Sequence, residues 1–147
     1  MDVKAILAAK KNNLGGGIIS IEPTADLAEA AKLLSQHRIG AVVIRGAGGR
    51  LAGILSERDI VRMLAEHGAA ALTMTVGQVM TREVETCGPG DSCATIMERM
   101  TQLKFRHLPV VEKDNLVGLI SIGDVVKTRV DEIERESEAM RDYIRSA

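Results

Sequence analysis

The sequence predicts an α+β protein built by tandem duplication of a β-α-β-β-α unit, the two copies packed as a pseudo-twofold pair. Three observations carry this. The stretch Gly53-Ile54-Leu55-Ser56-Glu57-Arg58-Asp59 is echoed by Gly118-Leu119-Ile120-Ser121-Ile122-Gly123-Asp124. From residue 18 to 44 each feature recurs 66 positions later: Pro23 with Pro89, Asp26 with Ser92, and the apolar stripe 27/30/31/34 with 93/96/97/100. One residue fewer in the second hairpin turn makes the offset 65, aligning Gly53, Ser56 and Asp59 with Gly118, Ser121 and Asp124. Identity between the copies is low, but breaks, caps and periodicity agree, which is the signature of an internal repeat.

The elements follow in order. Residues 3–11 read as a short amphipathic lead-in, with Val3, Ile6 and Leu7 on one face. The run Asn12 to Gly17 breaks it. A short strand over Ile18–Ile21 ends at Glu22-Pro23, and Asp26 caps a helix whose inward stripe is Leu27, Ala30, Ala31 and Leu34. Strands over Gly40–Ile44 and Leu51–Leu55 flank a glycine-rich turn. The next helix runs from Asp59 to about Glu66 with Ile60, Val61 and Leu64 inward, and His67-Gly68 stops it. A connector over 69–83 holds one turn of helix at Val76–Met80. The second copy then supplies a strand over Val84–Cys87, a helix capped by Ser92, strands over His107–Val111 and Leu116–Ile120, and a helix from Asp124. The domain plan is copy one at 17–68, connector 69–83, copy two at 84–130 and a long C-terminal helix at 131–147. In that helix Val126, Val130, Ile133, Met140, Tyr143 and Ile144 form a broken apolar stripe, suiting either a surface helix closing the fold or a dimer-contact or lid helix.

Composition removes several classes of function. Apolar residues make up 46% of the chain, enough for a core, yet with one Phe, one Tyr and no Trp that core is aliphatic. Charge is balanced, 19 Lys+Arg against 20 Asp+Glu, and stacking aromatics are lacking, so no nucleic-acid partner is expected. No run approaches the ~20 apolar residues of a membrane span, and the first residues lack the layout of a secretory signal, so a cytoplasmic protein without membrane attachment is expected. Cys87 and Cys93 match no metal or redox spacing. No nucleophile–base set, Walker loop or metal spacing is present, so an enzyme is not expected.

The repeated Ser-x-x-Asp admits two readings. Before an apolar run it is a capping box, satisfying free N–H groups at a helix start. It also projects a hydroxyl and a carboxylate toward whatever faces the helix N-terminus, where N–H donors favour anionic ligands.

The two Gly-x-x-Ser-x-x-Asp turns, the run Phe105-Arg106-His107-Leu108-Pro109-Val110-Val111 and the Val76–Thr81 connector, in this order and spacing, resemble a pair of cystathionine β-synthase (CBS) domains. The likeness covers about residues 17–130 and is nearest to short free-standing bacterial CBS-pair proteins. It implies a regulatory module whose interdomain clefts take an adenine nucleotide, AMP, ADP or ATP foremost, with NAD(H) or S-adenosylmethionine as further options. By the same likeness Asp59 and Asp124 accept hydrogen bonds from ribose hydroxyls, and Ser56 and Ser121 contact sugar or phosphate. Arg106 and His107 are similar to the basic pair that reaches phosphates in such proteins. Their first-copy equivalents, Gly40 and Ala41, bring no charge, so the two clefts should differ. Arg58, Arg38 and Lys104 are further candidates for phosphate, against a role as solvated surface charge. Ile21 and Cys87 line the base pockets in this reading, unless they are core, and backbone around Val43 and Pro109 reads the adenine edge. The resemblance also implies a homodimer acting on an unidentified protein target. The competing function is a dimeric adaptor in which both Ser-x-x-Asp turns are caps and nothing more; a redox sensor using Cys87 and Cys93 is a third.

Overall fold

The computed structural model describes residues 1–14 and 18–146. The break expected at Gly15–Gly17 lies outside the described residues, as does Ala147. The elements are α1 (Val3–Leu14), β1 (Ser20–Ile21), α2 (Leu27–His37), β2 (Ala41–Arg45), β3 (Leu51–Ser56), α3 (Glu57–His67), α4 (Val76–Val79), α5 (Cys93–Leu103), β4 (His107–Glu112), β5 (Asn115–Ser121) and α6 (Ile122–Ser146).

The duplication holds at the level of register. In the first sheet, ordered β1-β2-β3, β2 pairs antiparallel with β3, Ala41 opposite Ser56 and Ile44 opposite Gly53. In the second, His107 lies opposite Ser121 and Val110 opposite Gly118. Each ladder slips at the equivalent place, between Ile44 and Arg45 and between Val110 and Val111. Helices α2 and α5 match residue for residue and end at equivalent left-handed residues, Arg38 (φ 53°) and Lys104 (φ 57°).

Two expectations need correcting. The strand over Val84–Cys87 is reduced to one parallel bridge, Cys87 to Val110, where the first copy has the two-residue β1. Only Cys87 meets β4, donating its N–H to Pro109 O at 3.0 Å and accepting from Val111 N–H at 2.8 Å, while Arg99 holds the residues before it through the Thr86 carbonyl at 3.1 Å and the Glu85 carboxylate at 3.0 Å. On α3, Ile60 is buried, but Val61 is 64% exposed and Leu64 is exposed as well. With 3.6 residues per turn, a helix anchored by Ile60 turns Val61 to the flank, and Met63 takes the place against the core.

Each copy closes its own core, and each core is completed by the lead-in that precedes the other copy. Val3 and Ile6 of α1 are buried with Cys93, Ile96, Leu108, Ile120 and Val125 of the second copy. Val76 and Met80 are buried with Leu27, Leu34, Ile44 and Leu55 of the first. The backbone bonds match too: Val3 N–H donates to Asp91 O (2.9 Å) and Val76 N–H to Ala25 O (2.7 Å); Lys4 N–H to Pro89 O (3.0 Å) and Gly77 N–H to Pro23 O (2.9 Å). The duplicated unit therefore starts earlier than its strands. Asp2-Val3-Lys4-Ala5-Ile6-Leu7 corresponds to Thr75-Val76-Gly77-Gln78-Val79-Met80, a likeness visible in the sequence at an offset of 73.

These lead-ins seat on Gly53 and Gly118. A Cβ at Gly53 would stand 2.7 Å from the Thr81 carbonyl oxygen, and one at Gly118 would stand 2.5 Å from Leu7 Cδ2. Only glycine lets the chain approach the strand this closely. The remaining face of β2, Ala41 and Val43, is also buried, as is Pro109 of β4. Alternation along a strand puts 42 and 44 toward the copy's own core and 41 and 43 on the opposite face.

Candidate functional site

Both Ser-x-x-Asp turns sit where a strand runs directly into a helix, and both are closed capping boxes. In the first, Ser56 N–H donates to Asp59 Oδ2 (2.9 Å) and Asp59 N–H to Ser56 Oγ (3.3 Å). In the second, Ser121 N–H donates to Asp124 Oδ2 (2.8 Å) and Asp124 N–H to Ser121 Oγ (3.2 Å). The capping role is thus physically present in each. Capping engages Oδ2 in both boxes, and a carboxylate has about four lone-pair sites, so the box does not exhaust either aspartate.

What the two carboxylates meet beyond the box differs. Asp59 Oδ1 is held by Arg62 of the same helix at 3.1 Å, a surface contact. Asp124 Oδ2 is held by Lys10 of α1 at 2.9 Å, and the same ammonium donates to the Leu119 carbonyl at 2.7 Å. In the first copy the equivalent carbonyl, that of Ile54, accepts from the Thr81 backbone N–H at 2.9 Å. A lysine head therefore stands where the first copy uses main chain. Burial pushes the Asp124 carboxyl up, but the Ser121 N–H and Lys10 outweigh it and hold the group below the usual carboxylate range. Asp124 is ionised at neutral pH and already partnered.

His107 lies at the junction of the copies. A Cβ on Gly40 would stand 3.4 Å from His107 Cε1 and 3.7 Å from Glu57 Oε1. Burial lowers the His107 pKa below its ordinary value, and Lys10 and Arg106 add to this against the opposing pull of Asp124 and Glu57. His107 is thus neutral at pH 7, and an incoming anion would favour its protonation. Arg106 is exposed, its carbonyl accepting from Ile122 N–H at 2.8 Å, just as Gly40 O accepts from Glu57 N–H at 2.9 Å. Backbone at the start of each second strand is thereby tied to the first turn of each late helix.

The remaining candidates are dispersed. Arg58 is exposed on α3. Arg38 lines a groove of about 520 Å³ with Ala31, Leu34, Gly40, Glu57 and Ile60, a groove that reaches neither Ser56 nor Asp59. Lys104 is exposed at the end of α5. Ile21 is half-buried against the first core, and Cys87 is buried in the second. Val43 and Pro109 are buried on the strands that carry them. Lys10 and Glu57 are the participants that sequence reasoning missed. Lys10 lies past the duplicated part of the lead-in, with no repeat partner to flag it.

The cysteines are poorly suited to redox chemistry. Burial, aided by Asp91, pushes the Cys87 thiol up to about 12. The Cys93 thiol is raised by burial as well, and its Sγ donates to the Val125 carbonyl at 3.4 Å. Thiolate is the reactive form, so neither cysteine is expected to react with iodoacetamide while the protein is folded, and both are expected to react in denaturant. Labelling of either in native protein, read by intact mass, would revive the redox reading.

Among the described residues no group of three or more His, Cys, Asp and Glu could hold a metal ion, and no helix is long and apolar enough to cross a membrane. The CBS domain profile matches residues 16–66 and 76–131. The chain belongs to the CBS domain family. It is 36% identical over 120 residues to the mitochondrial CBS domain-containing protein CBSX3 of Arabidopsis thaliana, covering 79% of this chain and 58% of that protein. It is 30% identical over 131 residues to the CBS domain-containing protein YhcV of Bacillus subtilis, covering 89% and 90%. Among solved structures, the CBS-domain protein ATU1752 of Agrobacterium tumefaciens is 43% identical with a TM-score of 0.79, over 87% of this chain and 92% of that one. Two further CBS structures are ligand complexes. The pair of MJ0100, with 5′-methylthioadenosine and S-adenosyl-L-methionine, is 26% identical at a TM-score of 0.77, over 90% and 98% of the two chains. PAE2072 of Pyrobaculum aerophilum, with AMP, is 25% identical at a TM-score of 0.72, over 84% and 89%.

Proposed function

We propose that this CBS pair is a regulatory module that binds an adenosine-containing ligand between its copies and passes the occupancy to a protein target. The observation that carries this is the duplicated carboxylate–hydroxyl pair, Ser56/Asp59 and Ser121/Asp124, at two helix starts, each carboxylate retaining acceptor capacity beyond its cap. An ionised carboxylate accepts only, which suits the vicinal hydroxyls of a ribose. The ligands of MJ0100 and PAE2072 share the adenosine moiety, which supports the class without choosing its member. AMP, ADP or ATP is favoured over NAD(H) and S-adenosylmethionine because Arg106 and His107, beside the second box, offer charge and an inducible proton to phosphate. Arg58, within the first box, is the candidate cation for that cleft. Ile21 and Cys87 border the base in this reading, and main chain at Val43 and Pro109 reads its edge. The module is cytoplasmic, non-catalytic and homodimeric in this reading.

The test is a thermal-shift panel on dialysed protein with AMP, ADP, ATP, NAD, NADH, S-adenosylmethionine and the guanine counterparts. Ligand at 100 times its dissociation constant adds ~2.7 kcal/mol per site, worth roughly 2–4 °C per kcal/mol in a chain of this size. Shifts confined to adenine compounds are expected. Equal shifts with guanine compounds, or none with millimolar ligand on protein shown free of bound nucleotide, would overturn the reading in favour of an adaptor whose Ser-x-x-Asp turns are caps alone.

A further inference from the structure

From Val126 to Ile144, α6 carries an apolar seam that no other element covers among the described residues. Helix α6 runs unbroken from Ile122 to Ser146, and Val125 is its buried residue. Val126, Val130, Ile133, Met140 and Ile144 are all exposed, from 43% at Val126 to 66% at Ile144. Their spacing alternates four and three residues once Ser137 is included, the a/d register of a coiled coil: Val126, Ile133 and Met140 at d, and Val130, Ser137 and Ile144 at a. A stripe with period 3.5 is narrower than the face of a helix laid on a globular core. It is suited to one partner helix. Of the b, c and f positions, Asp131, Glu132, Arg135, Glu138, Asp142 and Arg145 are charged, while Thr128, Ala139 and Ser146 are not.

We infer that this seam pairs with the same seam of a second copy as a parallel, in-register two-helix coiled coil. Charge flanking the seam selects the orientation. In a parallel pair, g residues meet e residues five positions on in the partner helix. That places Arg129 against Glu134 of the other copy and Glu136 against Arg141, so both kinds of contact are attractive and each occurs twice by symmetry. Arg129 gives one donor to Glu132 of its own helix at 2.8 Å, and a guanidinium has five. An antiparallel pair overlapping the whole seam would set Glu134 against Glu134, Glu136 against Glu136 and Lys127 against Arg141, all repulsive. Three heptads alone are marginal in water. Here the seam starts on the folded body at Val126, so its first turn is already ordered.

The inference gives the homodimer proposed above its surface and direction. Sedimentation equilibrium on the full chain is expected to show a dimer at micromolar concentration. Ile133→Glu and Met140→Glu, both at exposed positions and so harmless to the monomer fold, are each expected to raise the dimer dissociation constant at least 100-fold with circular dichroism unchanged. Glu136→Arg should weaken the dimer, and adding Arg141→Glu should restore it. Ser137→Cys, at the a position nearest the middle of the seam, is expected to form an interchain disulfide on mild oxidation, since parallel a positions face each other and the two native cysteines are buried. A dimer indifferent to Ile133→Glu and Met140→Glu would overturn the seam while leaving the homodimer. A dimer that loses affinity in those variants yet forms no disulfide through Ser137→Cys would overturn the parallel direction. A monomeric wild type would overturn both the seam and the homodimer.

Discussion

Ile6→Ala is expected to destabilise the second copy, eighty or more residues away in sequence, by about 2–5 kcal/mol, the usual loss for truncating a fully packed aliphatic side chain. Ile6 is 2% exposed and shares a core with Cys93, Ile96, Leu108, Ile120 and Val125. At roughly 2–4 °C per kcal/mol, the melting temperature should fall by roughly 4–20 °C. Lys4→Ala, on the outer face of the same helix, serves as the control and should leave it nearly unchanged. Hydrogen exchange would locate the damage: amides of α5 and β4 should lose protection before those of α2 and β2. A change of less than ~1 °C for Ile6→Ala, or uniform loss of protection in both copies, would contradict the exchange of lead-ins. Val76→Ala makes the mirror-image prediction, with loss concentrated in the first copy.

Asp59→Asn and Asp124→Asn are each expected to weaken adenine-nucleotide binding by roughly 10- to 100-fold at the cleft concerned, the ~1.5–3 kcal/mol of a hydrogen bond to a charged group. Ser56 and Ser121 remain the N-caps and the asparagine Oδ1 can still accept their N–H groups, so the melting temperature of ligand-free protein should change less than affinity. Lys10→Met should act in the opposite direction. It removes the cation that now holds Asp124 Oδ2 at 2.9 Å, and affinity at the second cleft is expected to rise, by about tenfold if one charge-assisted contact is freed. Asp59, paired to surface Arg62, should be indifferent to it. Titration calorimetry on the three variants reads these effects directly. Unchanged binding in both Asp→Asn variants would dismiss the site assignment, and unchanged binding in Lys10→Met alone would dismiss the competition.

The same pair has a pH signature. Asp124 is depressed in the folded chain, so its stabilising contribution is complete above the ordinary carboxylate range and is lost as pH falls through the depressed folded value. The stability gap between wild type and Lys10→Met should therefore be widest near neutrality and close in acid, where Asp124 is protonated in both.

How much of this was legible beforehand depended on whether a feature was local. The Ser-x-x-Asp boxes, the Asp26 and Ser92 caps and the strand pairs rest on near neighbours, so residue type and spacing suffice to find them. The strand expected at Val84–Cys87 is reduced to the Cys87–Val110 bridge, because residue type marks an extended segment but not how many of its backbone groups will meet a neighbouring strand. Val61 and Leu64 lie outward against expectation because an apolar stripe gives a helix's period but not the rotation at which it is anchored, which Ile60 and Met63 set by packing on the core.

By itself the sequence determined the duplicated unit, its order of elements, its helix starts and the aliphatic nature of its cores, since period, caps and breaks are written within each copy. Tertiary structure alone decided which lead-in completes which core, because Val3 and Val76 carry the same local signal and nothing in either says which copy it will meet. It also decided the inequality of the two boxes. Asp59 and Asp124 hold the same place in their capping boxes, and what sets them apart across the fold is that α1 continues past its duplicated portion, bringing Lys10 to Asp124, while Asp59 pairs only with Arg62 of its own helix.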